Sequence, residues 1–239
     1  MIDIHCHILP GVDDGAKSLA DSFVMLQNAI QAGIHEIVLT PHYIKGSRYS
    51  CDNAAKRKLM TELNALIKKN NLPIRIHLGN EIFIDEDILD LLKHGQAVTL
   101  AKSRYVLVEL PVHDETLNSI SIMFELVSNG YVPIIAHPER YEYFQKNPSN
   151  LERYFEIGCL AQGDYRSLFG KYGRHAKRTL KYLIKHRQID LLASDVHHPG
   201  DDYNLKKAKK KVTHLTKNSH LTRRLFEVNP DKIIKNEII

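Results

Sequence analysis

Seven short runs rich in Ile, Val and Leu recur along the chain, at residues 2–7, 35–41, 74–83, 105–110, 132–137, 159–164 and 189–195. Amphipathic segments separate them. Ser18–Ala32, Asn53–Lys69, Glu115–Ser128 and Tyr172–His186 are each long enough to be crossover helices, and a last helical region runs from about Tyr203 to Phe226. Brief apolar runs without strict alternation are the pattern of strands buried on both faces, and such strands joined through helices pair parallel. The rhythm continues through all 239 residues with no Pro-, Gly- or Ser-rich linker. It predicts one α/β domain over residues 1–239, either a barrel near the (β/α)₈ type or an open doubly wound sheet. Periodicity does not separate the two.

Folding a chain of this length removes roughly 70% of its extended surface from water, an upper estimate. The core therefore needs no staples. Cys6, Cys51 and Cys159 are odd in number and contain no CxxC pair, which predicts a reducing compartment rather than a disulfide framework or a thiolate zinc site. The first residues lack the basic start and apolar stretch of an export signal, and no run approaches the ~18 apolar residues of a membrane span. A soluble, cytoplasmic protein is expected. Thirty-three Lys and Arg against 28 Asp and Glu leave +5, a mild excess compatible with a phosphorylated or otherwise acidic partner and not in itself a sign of nucleic acid.

Among the 14 histidines, placement matters more than number. His5 and His7 stand two apart in the first predicted strand, so both imidazoles share one face and Cys6 points away. Alone, such a pair reads as readily as two hydrogen-bonded core histidines. Most later strands, however, also end in metal-donor residues: Thr40-Pro41-His42, Gly79-Asn80-Glu81, Val108-Glu109, Ala136-His137 and Ser194-Asp195-Val196-His197, with Asp13-Asp14 in the loop after the first. In a parallel βα barrel the C-terminal strand ends open on one face, so these groups would meet in one pocket. Four carboxylates there, Asp14, Glu81, Glu109 and Asp195, would repel one another and lose hydration, and the pocket therefore demands cations. Nitrogen and oxygen donors without thiolate suit Mn²⁺, Zn²⁺ or Fe²⁺. The nine candidate ligands are His5, His7, Asp14, His42, Glu81, Glu109, His137, Asp195 and His197. At roughly three to four protein ligands per open catalytic ion, with one bridging carboxylate, they serve two or three ions.

His5-Cys6-His7, Gly11-Val12-Asp13-Asp14-Gly15, Thr40-Pro41-His42, Gly79-Asn80-Glu81, His137-Pro138-Glu139-Arg140 and Ser194-Asp195-Val196-His197 together resemble the polymerase-and-histidinol-phosphatase (PHP) superfamily. Within it they are similar to the CpsB/CapC-type bacterial tyrosine-protein phosphatases, in order and over nearly the whole chain, as far as Asn229-Pro230. The resemblance implies a distorted (β/α)₇ barrel, a trinuclear centre most often associated with manganese, and hydrolysis of phosphotyrosine on proteins. It puts His5, His7 and Asp195 on one ion, Glu81 as a bridge to a second held by Glu109 and His137, and Asp14, His42 and His197 on a third. Arg140 is similar to the family's phosphate-binding arginine, whose fork can hold two phosphate oxygens. One departure stands out. The family usually carries a second arginine a few residues after the SDxH motif, where this chain has His198-Pro199-Gly200-Asp201-Asp202-Tyr203, leaving Arg166 or Lys206 as substitutes. The partner implied is the autophosphorylating tyrosine kinase of polysaccharide export.

The expected reaction is in-line attack on phosphorus by a metal-bound hydroxide, with Arg140 neutralising phosphoryl charge and His42 or His197 as acid partner of the leaving phenolate. Tyr141 and Tyr143, with Phe144, are candidates for an aromatic wall or for packing against the barrel. None of the three cysteines is expected to act as a cysteine-phosphatase nucleophile, which needs a CxxxxxR loop. Another PHP phosphoesterase, such as a histidinol-phosphate or small-molecule phosphatase, is the alternative enzyme. A non-enzymatic alternative is binding of nucleic acid or an acidic membrane surface through the five lysines of residues 206–211, a run that also reads as a solvated helix face. No nucleic-acid partner is expected.

Overall fold

The structure is a computed structural model that describes residues 1–239. Its strands are β1 (Ile2–Cys6), β2 (Glu36–Leu39), β3 (His42–Tyr43), β4 (Arg75–Leu78), β5 (Glu81–Phe83), β6 (Tyr105–Glu109), β7 (Val132–Ala136), β8 (Leu160–Asp164) and β9 (Leu191–Ala193). All pairings are parallel, in the orders β1-β2-β4 and β3-β5-β6-β7-β8-β9. Two sheets arise because the strands expected at 35–41 and 74–83 are each interrupted. Pro41 has no N–H to give a ladder. At Gly79 a Cβ would stand 2.8 Å from Leu100 Cδ2 and 3.1 Å from Val38 Cγ1. The Asn80 side chain bridges the break, donating to the Pro41 carbonyl (2.8 Å) and accepting from Lys56 Nζ (2.8 Å) and the Val98 N–H (3.1 Å). At the opposite seam the Asp195 N–H donates to His5 O and the His7 N–H to Val196 O, both at 2.9 Å. The end of β9 thus returns to β1, and the seven strand positions form the distorted barrel expected.

Alternation divides the strand side chains. Ile4, Val38, Leu107, Ile134, Ala136, Leu191 and Ala193 form one small apolar cluster that fills the lumen. Their neighbours Ile37, Leu39, Val106, Val108, Ile135, Ala161 and Leu192 join a larger core beneath the helices. That layer comprises α1 (Leu19–Ala32), α2 (Asn53–Lys69), α3 (Ile88–Lys93), α4 (Ser119–Ser128), α5 (Glu142–Lys146), α6 (Glu152–Glu156) and α7 (Gly173–Lys185). It continues with α8 (Leu205–Thr216), α9 (Ser219–Arg223) and α10 (Asn229–Ile234). Two boundaries differ from expectation. The helix predicted from Glu115 begins at Ser119, because the Glu115 carboxylate instead accepts from Arg153 (2.6 Å) and Tyr154 (2.7 Å). The helical region from Tyr203 to Phe226 breaks where Lys217 turns left-handed (φ 51°) and the Asn218 side chain caps α9 by accepting from the Leu221 N–H (2.9 Å). No helix is long and apolar enough to cross a membrane.

Candidate metal centre

The register of β1 against β2 shifts between Asp3 and Cys6. The slip leaves Ile2 and Ile4 in the lumen cluster and Cys6 in the outer core, while His5 and His7 turn their Nε2 atoms together, 3.2 Å apart. Glu81 Oε2 lies 3.2 Å from His5 Nε2 and 3.3 Å from His7 Nε2. Asp195 Oδ1 lies 3.1 Å and 3.2 Å from the same two atoms. Four donors at such separations surround a point about 2 Å from each, which is the nitrogen or oxygen distance of a bound divalent metal. Three further observations fit a cation. All four residues are buried, neither of these carboxylate oxygens has a hydrogen-bond donor, and the same is true of Asp14 Oδ1 and His42 Nδ1 nearby.

Two more donor groups adjoin the first: His7 with Asp14, His42 and His197, and His42 with Glu81 and Glu109. His42 Nε2 and His197 Nε2 each lie 3.6 Å from Asp14 Oδ1, and His42 Nδ1 lies 3.1 Å from Glu81 Oε2. His7 stands in two groups, yet with Nδ1 engaged by Asp13 it has one free nitrogen and can serve one ion. His137 Nε2 touches Glu81 Oε1 (2.8 Å) and is 3.9 Å from Glu109 Oε1. The nine expected residues therefore converge. Around the Glu81–Glu109 pair, His42 Nδ1 reaches both carboxylates (3.1 and 3.6 Å), whereas His137 is nearer to Glu81 and farther from Glu109.

Electrostatics reflect the crowding. Burial favours a neutral His5, but Glu81 and Asp195 outweigh it and push the ring up to about 10. His7 is raised likewise against burial, chiefly by Asp13. Burial, then Glu81 and Asp195, pushes Glu109 up to about 8. Burial and the neighbouring His7 push His197 down to about 4, leaving it neutral at pH 7. The crowded carboxylates thus favour positive charge on His5 and His7, where a metal would otherwise supply it.

Orientation comes from residues behind the donors. His7 Nδ1 donates to Asp13 Oδ2 (2.8 Å), and Asp13 also accepts from the Gly15 and His42 N–H groups (2.9 and 3.0 Å). His5 Nδ1 donates to Gln162 Oε1 (2.7 Å). Such anchors raise ligand basicity, so Asp13→Asn is expected to weaken metal binding about 10- to 100-fold in a direct titration. Unchanged affinity would show that His7 needs no such anchor. Gly15 presses on the same histidine: a Cβ there would meet His7 O at 2.1 Å and His7 Cβ at 2.5 Å. Gly15→Ala should cost about 3 kcal/mol in urea unfolding of the apo protein. A wild-type midpoint would mean that the loop can yield.

A sequence model of the family described as "Capsular polysaccharide synthesis, CpsB/CapC" matches residues 1–235. The chain belongs to the CpsB/CapC family. It is 37% identical to the tyrosine-protein phosphatase YwqE of Bacillus subtilis over 197 residues, covering 82% of this chain and 77% of the relative. It is 28% identical to the tyrosine-protein phosphatase CpsB of Streptococcus pneumoniae over the full length of both. A crystal structure from work on those two proteins, described as unique metal-dependent tyrosine phosphatases, superposes with a TM-score of 0.93 at 34% identity, covering 100% of this chain and 96% of the other. Histidinol phosphate phosphatase from Lactococcus lactis shares the fold, with a TM-score of 0.62 at 17% identity and 92% and 93% coverage.

In this CpsB/CapC chain the two arginines expected to meet substrate are neighbours. Arg140 donates to Asp164 Oδ2 (2.6 Å) and to Asp195 Oδ2, and its guanidinium lies 3.7 Å from the centre of the Tyr172 ring. Arg166 donates to the Tyr172 hydroxyl (2.7 Å) and to the Asp195 carbonyl, and pairs with Asp201 at 2.9 Å. The acidic residue that follows the SDxH motif thus tethers Arg166 beside Arg140. Lys206 is instead an exposed residue at the start of α8, grouped with Asn28 and Gln31. The aromatic wall is not built by Tyr141 and Phe144, which are fully buried, Tyr141 accepting from the Leu110 N–H (2.9 Å). Tyr172 is the aromatic residue beside the arginines. Cys51 and Arg57 do stand at CxxxxxR spacing, but the intervening residues open α2, whose first turn is capped by Asp52 accepting from the Ala55 N–H (2.8 Å). Burial also pushes the Cys51 thiol up, so no thiolate cradle forms there. Gln162, Tyr172 and Asp201 were given no role from the sequence, and Asp13, quoted there beside Asp14, acts as the His7 anchor instead. Of the first three only Gln162 carried a usable signal, a polar side chain on the lumen row of a buried strand.

Proposed function

We propose that this chain is a metal-dependent protein-tyrosine phosphatase whose substrate is a tyrosine-phosphorylated protein, the autophosphorylating kinase of polysaccharide export in particular. The observation that carries the reading is the donor set around Glu81 standing beside Arg140 and Arg166, both of which hold Asp195. Family membership and the tyrosine-phosphatase relatives support it. In this reading His5, His7 and Asp195 would hold one ion, Glu109 and His137 a second with Glu81 shared between the two, and Asp14, His42 and His197 would hold a third. Mn²⁺ is the proposed ion, and Fe²⁺ and Zn²⁺ suit the same donors. When bound, the ions supply Lewis-acid charge and lower the pKa of water toward neutrality.

The protein's own groups do the rest. Arg140 and Arg166 turn from their aspartates to the phosphoryl oxygens, and Tyr172 keeps them side by side, its ring against Arg140 and its hydroxyl accepting from Arg166. A leaving phenolate, with pKa about 10, departs with little need of a proton, and His42, counted here among the ligands, is not the group that gives one. His197, neutral at pH 7, fits a ligand better than an acid. A cytoplasmic setting belongs to the same reading and agrees with three unpaired cysteines.

The test is removal and return of metal. EDTA should abolish hydrolysis of a phosphotyrosyl peptide, and Mn²⁺ should restore it, with elemental analysis following the ion. Activity that survives complete stripping ends the proposal. Faster turnover of histidinol phosphate than of the peptide would reassign the substrate.

A further inference from the structure

α7 and α8 carry ten of the chain's 33 Lys and Arg and none of its 28 Asp and Glu. A chain that is +5 overall is therefore −5 outside these two helices. Of the ten, only Lys209 has a carboxylate partner, Glu227 at 2.6 Å. α7 packs against α8, where Lys211 Nζ donates to Leu168 O (2.9 Å) and lies over the Phe169 ring (4.7 Å); burial first, then the charges of Lys177 and Lys181, one turn apart on α7, depress its ammonium. Lys207 lies one turn before Lys211 on the same side of α8 and is exposed. Uncompensated like charges at a helix seam are unfavourable unless an anion covers them.

The seam begins at the rim of the candidate site. Tyr172, beside Arg140 and Arg166, immediately precedes α7, and Lys171 donates to Asp201 (2.8 Å), which also accepts from the His197 N–H (2.9 Å). From Tyr172 to Lys181 the helix rises about 14 Å, a length that about four extended residues span. We propose that the α7–α8 seam is a docking stripe for an acidic segment of the phosphorylated protein substrate, adjoining its phosphotyrosine. The proposal rests on the phosphatase reading for its substrate and adds where and by what chemistry that substrate is held. A membrane surface is the poorer fit, because helices that lie on lipid pair their lysines with an apolar wedge. Here the one large apolar side chain exposed on the two helices is Tyr182, stacked on His186 at 3.9 Å.

The experiment uses the metal-loaded enzyme and the variant Lys177→Glu/Lys181→Glu/Lys207→Glu. Two phosphotyrosyl peptides differ only in a Glu-rich or a Gln-rich flank, and a small aryl phosphate reports the site itself. The wild type should favour the Glu-rich peptide in kcat/KM by about tenfold, less as salt is added. The variant should lose that preference with the aryl phosphate rate unchanged. Equal kcat/KM for both flanks in the wild type, or a variant that slows both peptides alike, overturns the proposal. Fluorescence anisotropy of the unphosphorylated Glu-rich peptide needs no turnover: binding lost in the variant supports the stripe even if no substrate is hydrolysed, in which case only the phosphatase reading fails. Retention on phosphatidylserine vesicles or duplex DNA without a peptide preference assigns the seam to those surfaces and sinks the acidic-segment proposal.

Discussion

Glu81→Gln is expected to lower phosphotyrosine hydrolysis by at least about 10³-fold, with loss of metal from more than one position. No other carboxylate reaches as many imidazoles. Its Oε2 is 3.2, 3.3 and 3.1 Å from nitrogens of His5, His7 and His42, while Oε1 is 2.8 Å from His137. Opposed by burial, His5 and His42 hold this carboxyl well below the usual range, so it enters any metal site already ionised. Glutamine keeps the shape and removes the charge. The lost negative charge and the amide NH₂ that replaces one oxygen both repel a cation. Elemental analysis and peptide turnover, read beside an unfolding curve, separate a lost site from a lost fold. A folded variant with full metal content and activity within tenfold of wild type would remove Glu81 from the centre.

The second large effect is on pH. In the metal-free protein His5 is raised to about 10 and His7 is raised well above 6.5, whereas Glu81 and Asp195 are already ionised. A metal needs both imidazoles neutral, so loading this group at pH 7 releases two protons. The sign follows directly: protons compete with metal, and apparent affinity falls as pH falls. Two protons correspond to about 100-fold in affinity per pH unit across neutrality, a slope that eases only as pH rises toward the His5 value. Titration calorimetry in buffers of different ionisation enthalpy counts the protons. A count near zero would mean that the imidazoles are already neutral and that the pocket is poised for metal by some other means.

Several features of the fold and site were legible in the order of residues. The seven strands followed from short apolar runs between amphipathic segments, and the donors at their ends followed from the two-residue period of a strand and the common direction of parallel strands. Family motifs in sequence then named Arg140. Other features depended on contacts between distant segments. Strands 35–41 and 74–83 break at Pro41 and Gly79 because Leu100 and Asn80 pack into the gaps, and nothing local to either strand announces Leu100. The tether of Arg166 by Asp201 joins residues 35 apart, through side chains that sequence reads as a loop arginine and a stray acid.

By itself the sequence determined the alternation that makes a parallel barrel and the stock of nitrogen and oxygen donors at one rim, because both are periodic and local. The tertiary structure alone decided how those donors are shared. His137 and Asp195 leave their strands with positive φ, 33° and 48°, a conformation non-glycine residues adopt only where surrounding packing imposes it. A turn of that kind takes a side chain out of its strand's alternation, and its cause lies in neighbours far away along the chain.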